Sequence, residues 1–190
     1  MIIEQLEVGF MANYCYIIGD EKSKEGLIID PAWEINTIIN KAKELDLRIK
    51  YVIGTHNHPD HIGELEQAAK KLNSKTVMNK NDNDKADLLV NEHDVLEIGS
   101  IKFKVIHTPG HTEGGICLHS PPYLFTGDTL FCDGGYGRTD LPGGNDKKLQ
   151  NSLQKLFSLP EETIIYPGHN YSKDKTSTIK KEKTLFKNII

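Results

Sequence analysis

Several things are scarce in this chain, and each scarcity removes a class of protein. Among 190 residues there are three cysteines, Cys15, Cys117 and Cys132, and no two stand at a paired spacing. An odd count without an export signal argues against a disulfide framework. Cys15 and Cys117 lie in apolar runs ("YCYII", "GICLH") and read as small buried hydrophobes. Cys132 follows soon after Asp128 in "GDTLFCDGG" and reads as structural, with a place near a pocket. No apolar run approaches the ~20 residues that span a bilayer. The opening "MIIEQLEVGFMANYC" has an acidic residue where a signal peptide needs a basic one, and no long apolar stretch follows. The expectation is a cytoplasmic protein with no membrane partner. A basic excess is missing too: 23 Lys and Arg face 27 Asp and Glu, a net charge of −4. That balance speaks against nucleic acid as a partner. The one late basic run, Lys173 to Lys183, reads as the solvated face of a helix. With no repeat, low-complexity tract or linker, the length fits a single domain over 1–190.

The patterning that is present alternates between two periods. "YCYIIG" and "GLIID" are apolar runs of strand length. Residues 34–45 place Ile35, Ile38, Ile39, Ala42 and Leu45 at helical spacing. "YVIG" reads as a short strand and "ELEQAAKKL" as a helix. Residues 101–107 alternate through Ile101, Phe103 and Val105, the period of a half-buried strand. Strands are expected at "GICLH", "YLF" and "TIIY", and a helix near 147–158 carries Leu149, Leu153, Leu156 and Phe157. The order lacks the regular βαβα alternation of a doubly wound sheet. Short connections among 101–107, 115–119 and 123–126 predict antiparallel pairing. The pattern predicts an α+β protein with a two-sheet core and helices outside.

One arrangement recurs four times. "YVIG" runs into Thr55, His56 and His58; "FKVIH" into "TPG" and His111; "YLF" into "TG" and Asp128; "TIIY" into "PG" and His169. Each time an apolar strand ends, a turn follows, and a metal-capable side chain comes next. Such residues stand on a rigid scaffold, on loops where they can converge. The loop "GTHNHPDHIG" is the densest, with His56, His58, Asp60 and His61 within six positions. One tetrahedral ion cannot comfortably take all four groups from so short a loop, whereas two ions can share it. Imidazole and carboxylate donors suit zinc, iron or manganese, and no nearby cysteine points to a structural cysteine-zinc site. His93, His107 and His119 lack this context and read as ordinary histidines.

Taken together and in order, "THNHPDH", "PGH" at 109–111, "TGD" at 126–128 and "PGH" at 167–169 resemble the metallo-β-lactamase superfamily. The resemblance covers nearly the whole chain. It implies an αββα sandwich of two mixed β-sheets packed face to face, with the site on one edge. It implies two divalent metal ions, zinc first among the candidates. His56, His58 and His111 would hold the first ion, Asp60, His61 and His169 the second, and Asp128 would bridge them.

Within that superfamily the chain most resembles the glyoxalase II thioesterases (hydroxyacylglutathione hydrolases) and their relatives, the persulfide dioxygenases. "TGDTLF" looks like the thioesterase side, and "GRTDLPGG" at 137–144 like the short, single-domain type. By this resemblance Arg138 and Tyr171 would contact the substrate. Residues 170–190 are all that follow His169, so the C-terminal glutathione-binding helical domain of longer relatives is not expected, and a different thiol carrier fits. The implied activity is hydrolysis of a small-molecule thioester by a metal-bound bridging hydroxide, with Asp60 and Asp128 as catalytic residues. The rival is a mononuclear iron persulfide dioxygenase using His56, His111 and Asp128 as a facial triad. A lactonase is a weaker third reading, and a non-enzymatic binding module explains seven ligands least well. Monomer and homodimer both remain open.

Overall fold

The computed structural model describes residues 1–186. The chain opens with an antiparallel hairpin of β1 (Ile2–Val8) and β2 (Asn13–Gly19), and β3 (Glu25–Ile29) pairs antiparallel with β2. Helix α1 (Ile35–Glu44) then carries the chain back, so that β4 (Arg48–Ile53) lies parallel to β3. A single turn, α2 (Pro59–Ile62), and helix α3 (Leu65–Leu72) lead to β5 (Lys75–Asn79) and β6 (Leu88–Val90), each parallel to its predecessor in the sheet. These strands form one six-stranded sheet in chain order. The second sheet starts with an antiparallel meander of β7 (Val95–Ile98), β8 (Ile101–His107), β9 (Ile116–Ser120) and β10 (Tyr123–Gly127). Helix α4 (Asp146–Leu156) returns the chain to β11 (Ile164–Pro167), parallel to β10; β12 (Ser177–Thr178) closes the edge, and α5 (Ile179–Phe186) follows. Its order is β12-β11-β10-β9-β8-β7.

Period 2 sorts the strand residues into layers. All of β2 is buried, because both its faces are covered. Tyr14, Tyr16 and Ile18 enter the space between the sheets, where they meet Leu27, Ile29, Phe103, Val105, Leu118 and Phe125. Cys15 and Ile17 face the other way, toward Ile35, Ile38, Ile39 and Ala42 of α1 and Leu65, Ala68 and Ala69 of α3. On the second sheet Ile106, Cys117, Leu124 and Ile165 lie under Leu149, Leu153 and Leu156 of α4 and Ile179 and Phe186 of α5. Three apolar interfaces therefore make four layers, αββα, as the resemblance implied. Each fully buried large apolar side chain stabilises the fold by roughly 1.5–3 kcal/mol. None of the helices among the described residues is long and apolar enough to cross a membrane.

Two features depart from the sequence expectations. Strands β5, β6, β7 and β12 carried no expectation; they are short, with two to five residues. The run from Lys173 to Lys183 is not one helix face. Lys173 and Lys175 lie in a loop, and only Lys180, Lys181 and Lys183 are on α5. Between them sits a fully buried carboxylate, Glu182. It accepts hydrogen bonds from the backbone N–H groups of Asp133 (3.1 Å) and Gly134 (2.7 Å) and from the Ser177 hydroxyl. Asp133 and Gly134 both have positive φ, which turns their successive N–H groups toward one anion. The C-terminal segment thus anchors the loop that follows Asp128.

Candidate metal centre

Strand ends from both sheets meet at one edge. Thr55, His56 and His58 follow β4, and Asp60 and His61 ride on α2, with Pro59 at its first position. Proline there costs nothing, since a first-turn N–H has no partner within the helix. His111 follows β8, Asp128 follows β10 and His169 follows β11. A backbone bond from Ile116 N to Thr55 O (2.9 Å) stitches the two sheets together at this point. Two glycines make the approach possible. Gly110 has φ +139°, and a Cβ there would stand 2.3 Å from Leu149 N of α4. A Cβ on Gly168 would stand 2.3 Å from Asp128 Oδ1. The "PG" steps in both "PGH" motifs are thus packing requirements.

The seven expected ligands converge. His56, His58 and His111 offer donor atoms within 4.8 Å of one another, and so do Asp60, His61 and His169. Asp128 lies between the two groups. Its Oδ2 is 3.5 Å from His111 Nε2 and 3.2 Å from His169 Nε2, and its Oδ1 is 3.3 Å from His61 Nε2. All but His58 and Asp60 are buried, so the centre opens to solvent on their side.

The hydrogen bonds behind the histidines fix which nitrogen faces inward. His111 Nδ1 donates to the Arg138 carbonyl (2.7 Å) and His169 Nδ1 to the Met11 carbonyl (3.0 Å). Thr55 Oγ1 gives its hydrogen to Asp30 Oδ2 (2.7 Å), so at 3.0 Å it accepts from His56 Nδ1. His61 Nδ1 donates to Asp30 Oδ2 (3.0 Å). With Nδ1 holding the hydrogen, each neutral ring presents an Nε2 lone pair to the centre. Three of the atoms collected there, His56 Nε2, His111 Nε2 and Asp128 Oδ1, are buried and have no hydrogen-bond partner among the described residues. Such atoms cost ~1–3 kcal/mol each when left so. Inward lone pairs around a carboxylate are the donor set of a divalent cation, and the residues fit two such ions.

Electrostatics separates the two groups. Burial, with help from neighbouring rings, holds His56 well below the usual histidine range and also lowers His58. Both are therefore neutral and ready to ligate. Burial works against a proton on His61 too, but Asp128 and Asp30 outweigh it and raise His61 well above its ordinary value. Its Nε2 stands 3.0 Å from His169 Nε2, a contact that needs either a proton or a cation between the rings. Burial alone would raise Asp128, yet His61, His169 and His56 hold it well below the usual carboxylate range. A consequence follows for metal loading. In chelator-treated protein at neutral pH His61 carries a proton, which a metal must displace. Apparent zinc affinity is therefore expected to rise as pH increases above the ordinary histidine range. Titration calorimetry in buffers of different ionisation enthalpy is expected to show proton release; a pH-independent affinity with no release would contradict the assignment.

Two residues that support the centre carried no sequence expectation. Asp30, at the end of β3, accepts from Thr55 N (2.7 Å), Thr55 Oγ1 and His61 Nδ1. It falls within ligand distance of His56 and His61, but its oxygens are already engaged, so it anchors ligands from behind. A fifth strand ending in a carboxylate, "GLIID", was the signal for it. Asp82 accepts from Asn57 N (3.1 Å), Thr112 Oγ1 (2.7 Å) and Gly114 N (2.6 Å), tying the first histidine loop to that of His111. It lies in an "NDND" turn with nothing to single it out.

Beside the centre is a cleft of about 580 Å³ whose walls include His111, Asp128, Phe131, Tyr136, Arg138 and Tyr171. Arg138 binds Asp140 through Nε (2.7 Å) and Nη2 (2.6 Å), and the Tyr171 ring stacks on His169 at 4.5 Å. Both residues expected to touch substrate thus border the cleft, and each also has a local structural partner. Cys132 lines the cleft as well; burial first, then Glu182 and Asp133, push its thiol up to about 12. It stays protonated and is no nucleophile. His107 Nε2 donates to the Glu113 carbonyl (3.0 Å), and His93 is exposed, so neither joins the centre.

Comparison with known proteins agrees with this fold. The family model described as "Metallo-beta-lactamase superfamily" matches residues 8–169. The chain is 35% identical to hydroxyacylglutathione hydrolase of Pelagibacter ubique, over 85% of this chain and 68% of that protein. It is 34% identical to the mitochondrial persulfide dioxygenase ETHE1 of Mus musculus, over 97% of this chain and 74% of that one. The crystal structure of ETHE1 from Myxococcus xanthus superposes with a TM-score of 0.92 at 37% identity, covering 96% of this chain and 82% of the other.

Proposed function

The chain belongs to the metallo-beta-lactamase superfamily, and we propose that within it this protein is a dinuclear metal-dependent hydrolase of small thioesters, of the glyoxalase II type. One observation carries the reading. The group Asp60, His61 and His169 is assembled as closely as the group His56, His58 and His111, and both its rings are held from behind, His61 by Asp30 and His169 by the Met11 carbonyl. A mononuclear iron centre on His56, His111 and Asp128 would leave this second set empty, whereas a dinuclear hydrolase would use all of it.

His56, His58 and His111 would hold one ion and Asp60, His61 and His169 the other, with Asp128 shared. When bound, such metals supply Lewis acidity for the carbonyl and lower the pKa of a water to near neutrality. Asp60 borders solvent, its side chain 19% exposed, so its carboxylate can orient the attacking water as well as ligate. With two dications held there, the two carboxylates Asp60 and Asp128 would leave the centre positive, which would favour the oxyanion that develops on the attacked carbonyl. The departing thiolate is a weak base and needs little general-acid help. The cleft beside the centre would seat the thiol carrier. Tyr171 offers it an aromatic face, and Arg138 keeps donors beyond the two that Asp140 uses.

The second reading, iron-dependent persulfide oxidation, is favoured by the likeness to the two ETHE1 proteins. Metal analysis and two assays separate the readings. The expected result is two metal ions per chain and zinc-dependent hydrolysis of S-lactoylglutathione, lost with a chelator and regained with metal. One iron per chain, with oxygen consumed on glutathione persulfide and no thioester cleaved, would overturn the hydrolase.

A further inference from the structure

The two donor groups are built by different parts of the chain. The first is held by Thr55 beneath His56 and by the Arg138 carbonyl behind His111. The second is held by the turn between β1 and β2. Met11 O accepts from His169 Nδ1, Ala12 O from Asn170 N (2.7 Å), and Gly168 O from Tyr14 N (2.8 Å). Asn13 bridges to His169 in backbone pairing. The Asn13 side chain, 1% exposed, then crosses to the other two members. Its Nδ2 donates to Asp60 O (2.9 Å) and Asp60 Oδ2 (2.9 Å) and lies 3.5 Å from His61 Nε2. One short segment thus touches every residue of the second group.

We propose that Asn13 is a positioning residue for the second donor set and governs whether the centre holds one metal ion or two. The inference rests on the dinuclear reading given above. Asp60 is the least buried member of its group, and its carboxylate has to be aimed by something. A single amide bonded both to its backbone carbonyl and to Oδ2 fixes the side chain relative to its own main chain. The two acceptors also fix the amide's orientation: reversed, its oxygen would face two oxygens. As it stands, Asn13 Oδ1 is buried with no hydrogen-bond partner among the described residues. A half-satisfied buried amide is a poor choice for packing alone, since it costs stability. Its retention is explained by what Nδ2 holds.

The test compares the full chain with Asn13→Ala. Both are stripped by chelator and titrated with zinc against a competing chromogenic chelator. The wild type is expected to take up two zinc ions in steps of different affinity. In Asn13→Ala the first step is expected to be unchanged and the second weakened by about tenfold or more, the scale for losing a partner behind a ligand. Two unchanged steps, or both weakened alike, would overturn the role of Asn13. A single step in the wild type would instead overturn the dinuclear reading, so the two failures are distinct. Should Asn13→Ala not fold, Asn13→Ser, polar and small but without the amide, is read in the same way.

Discussion

Asp128→Ala is expected to reduce hydrolysis by about a thousandfold or more, the upper range for removing a group that stabilises developing charge in a buried site. The effect is large because one carboxylate serves both donor groups, lying 3.2–3.5 Å from ring nitrogens of His61, His111 and His169. Truncation removes a negative charge from the midst of inward-facing lone pairs, and the other carboxylate nearby, Asp60, stands 3.6 Å from His61 and His169 of the second group only. The variant should also lose its response to metal. A ligand that binds only the folded chain stabilises it by RT ln(1 + [L]/Kd), ~2.7 kcal/mol at a hundredfold excess over Kd. Zinc is therefore expected to raise the melting temperature of the wild type but barely that of Asp128→Ala. A variant that hydrolyses thioester at a tenth of the wild-type rate, or gains as much from zinc, would show that Asp128 is not shared between two ions.

Asp30→Ala should have the largest effect on folding. The carboxylate is 2% exposed and accepts from three buried donors, Thr55 N, Thr55 Oγ1 and His61 Nδ1. Removing it leaves these groups without partners, at ~1–3 kcal/mol for each neutral donor and more where charge is involved. A loss of about 3–5 kcal/mol is expected, comparable with breaking a buried pair. Denaturant unfolding of chelator-treated protein measures it. Because Thr55 orients His56 and Asp30 itself orients His61, metal affinity should fall in both donor groups. Asp30→Asn, which keeps one acceptor and the shape, should recover part of the stability and less of the affinity. Equal stability of Asp30→Ala and wild type would refute the anchoring role. The contrast with Asn13 is instructive: Asp30 reaches both groups, Asn13 only the second.

The readable parts of this molecule are those in which information is local. Strand β8 and helices α1, α3 and α4 announce themselves by period, because a buried stripe repeats within a few residues, and β2 and β3 by a continuous apolar run. The ligand-bearing loops announce themselves because a strand, a tight turn and a polar side chain follow one another directly. Nothing in that logic depends on contacts between distant residues, so His56, His58, Asp60, His61, His111, Asp128 and His169 could all be named from the chain as candidates, and the fold brings them together. The short strands β5, β6, β7 and β12 could not, since pairing with a neighbour, rather than their own composition, makes them strands.

What surrounds the ligands was decided by tertiary structure. Asn13 meets Asp60 47 positions away, His61 finds Asp30 31 positions away, and Met11 holds His169 across 158. A lone Asp or Asn at a strand end looks the same whether it faces water or a buried imidazole. Only the pairing of β3 with β4, and of the β1–β2 turn with the end of β11, turns those residues into anchors. The lysine-rich tail shows the same limit: spacing marked a solvated face, while folding buried Glu182 within it to clasp the loop after Asp128. Ligand identity is a matter of residue type and turn, which the chain carries in a few adjacent letters. Ligand orientation depends on which backbone and side-chain acceptors lie behind each ring, and those come together only when the two sheets close.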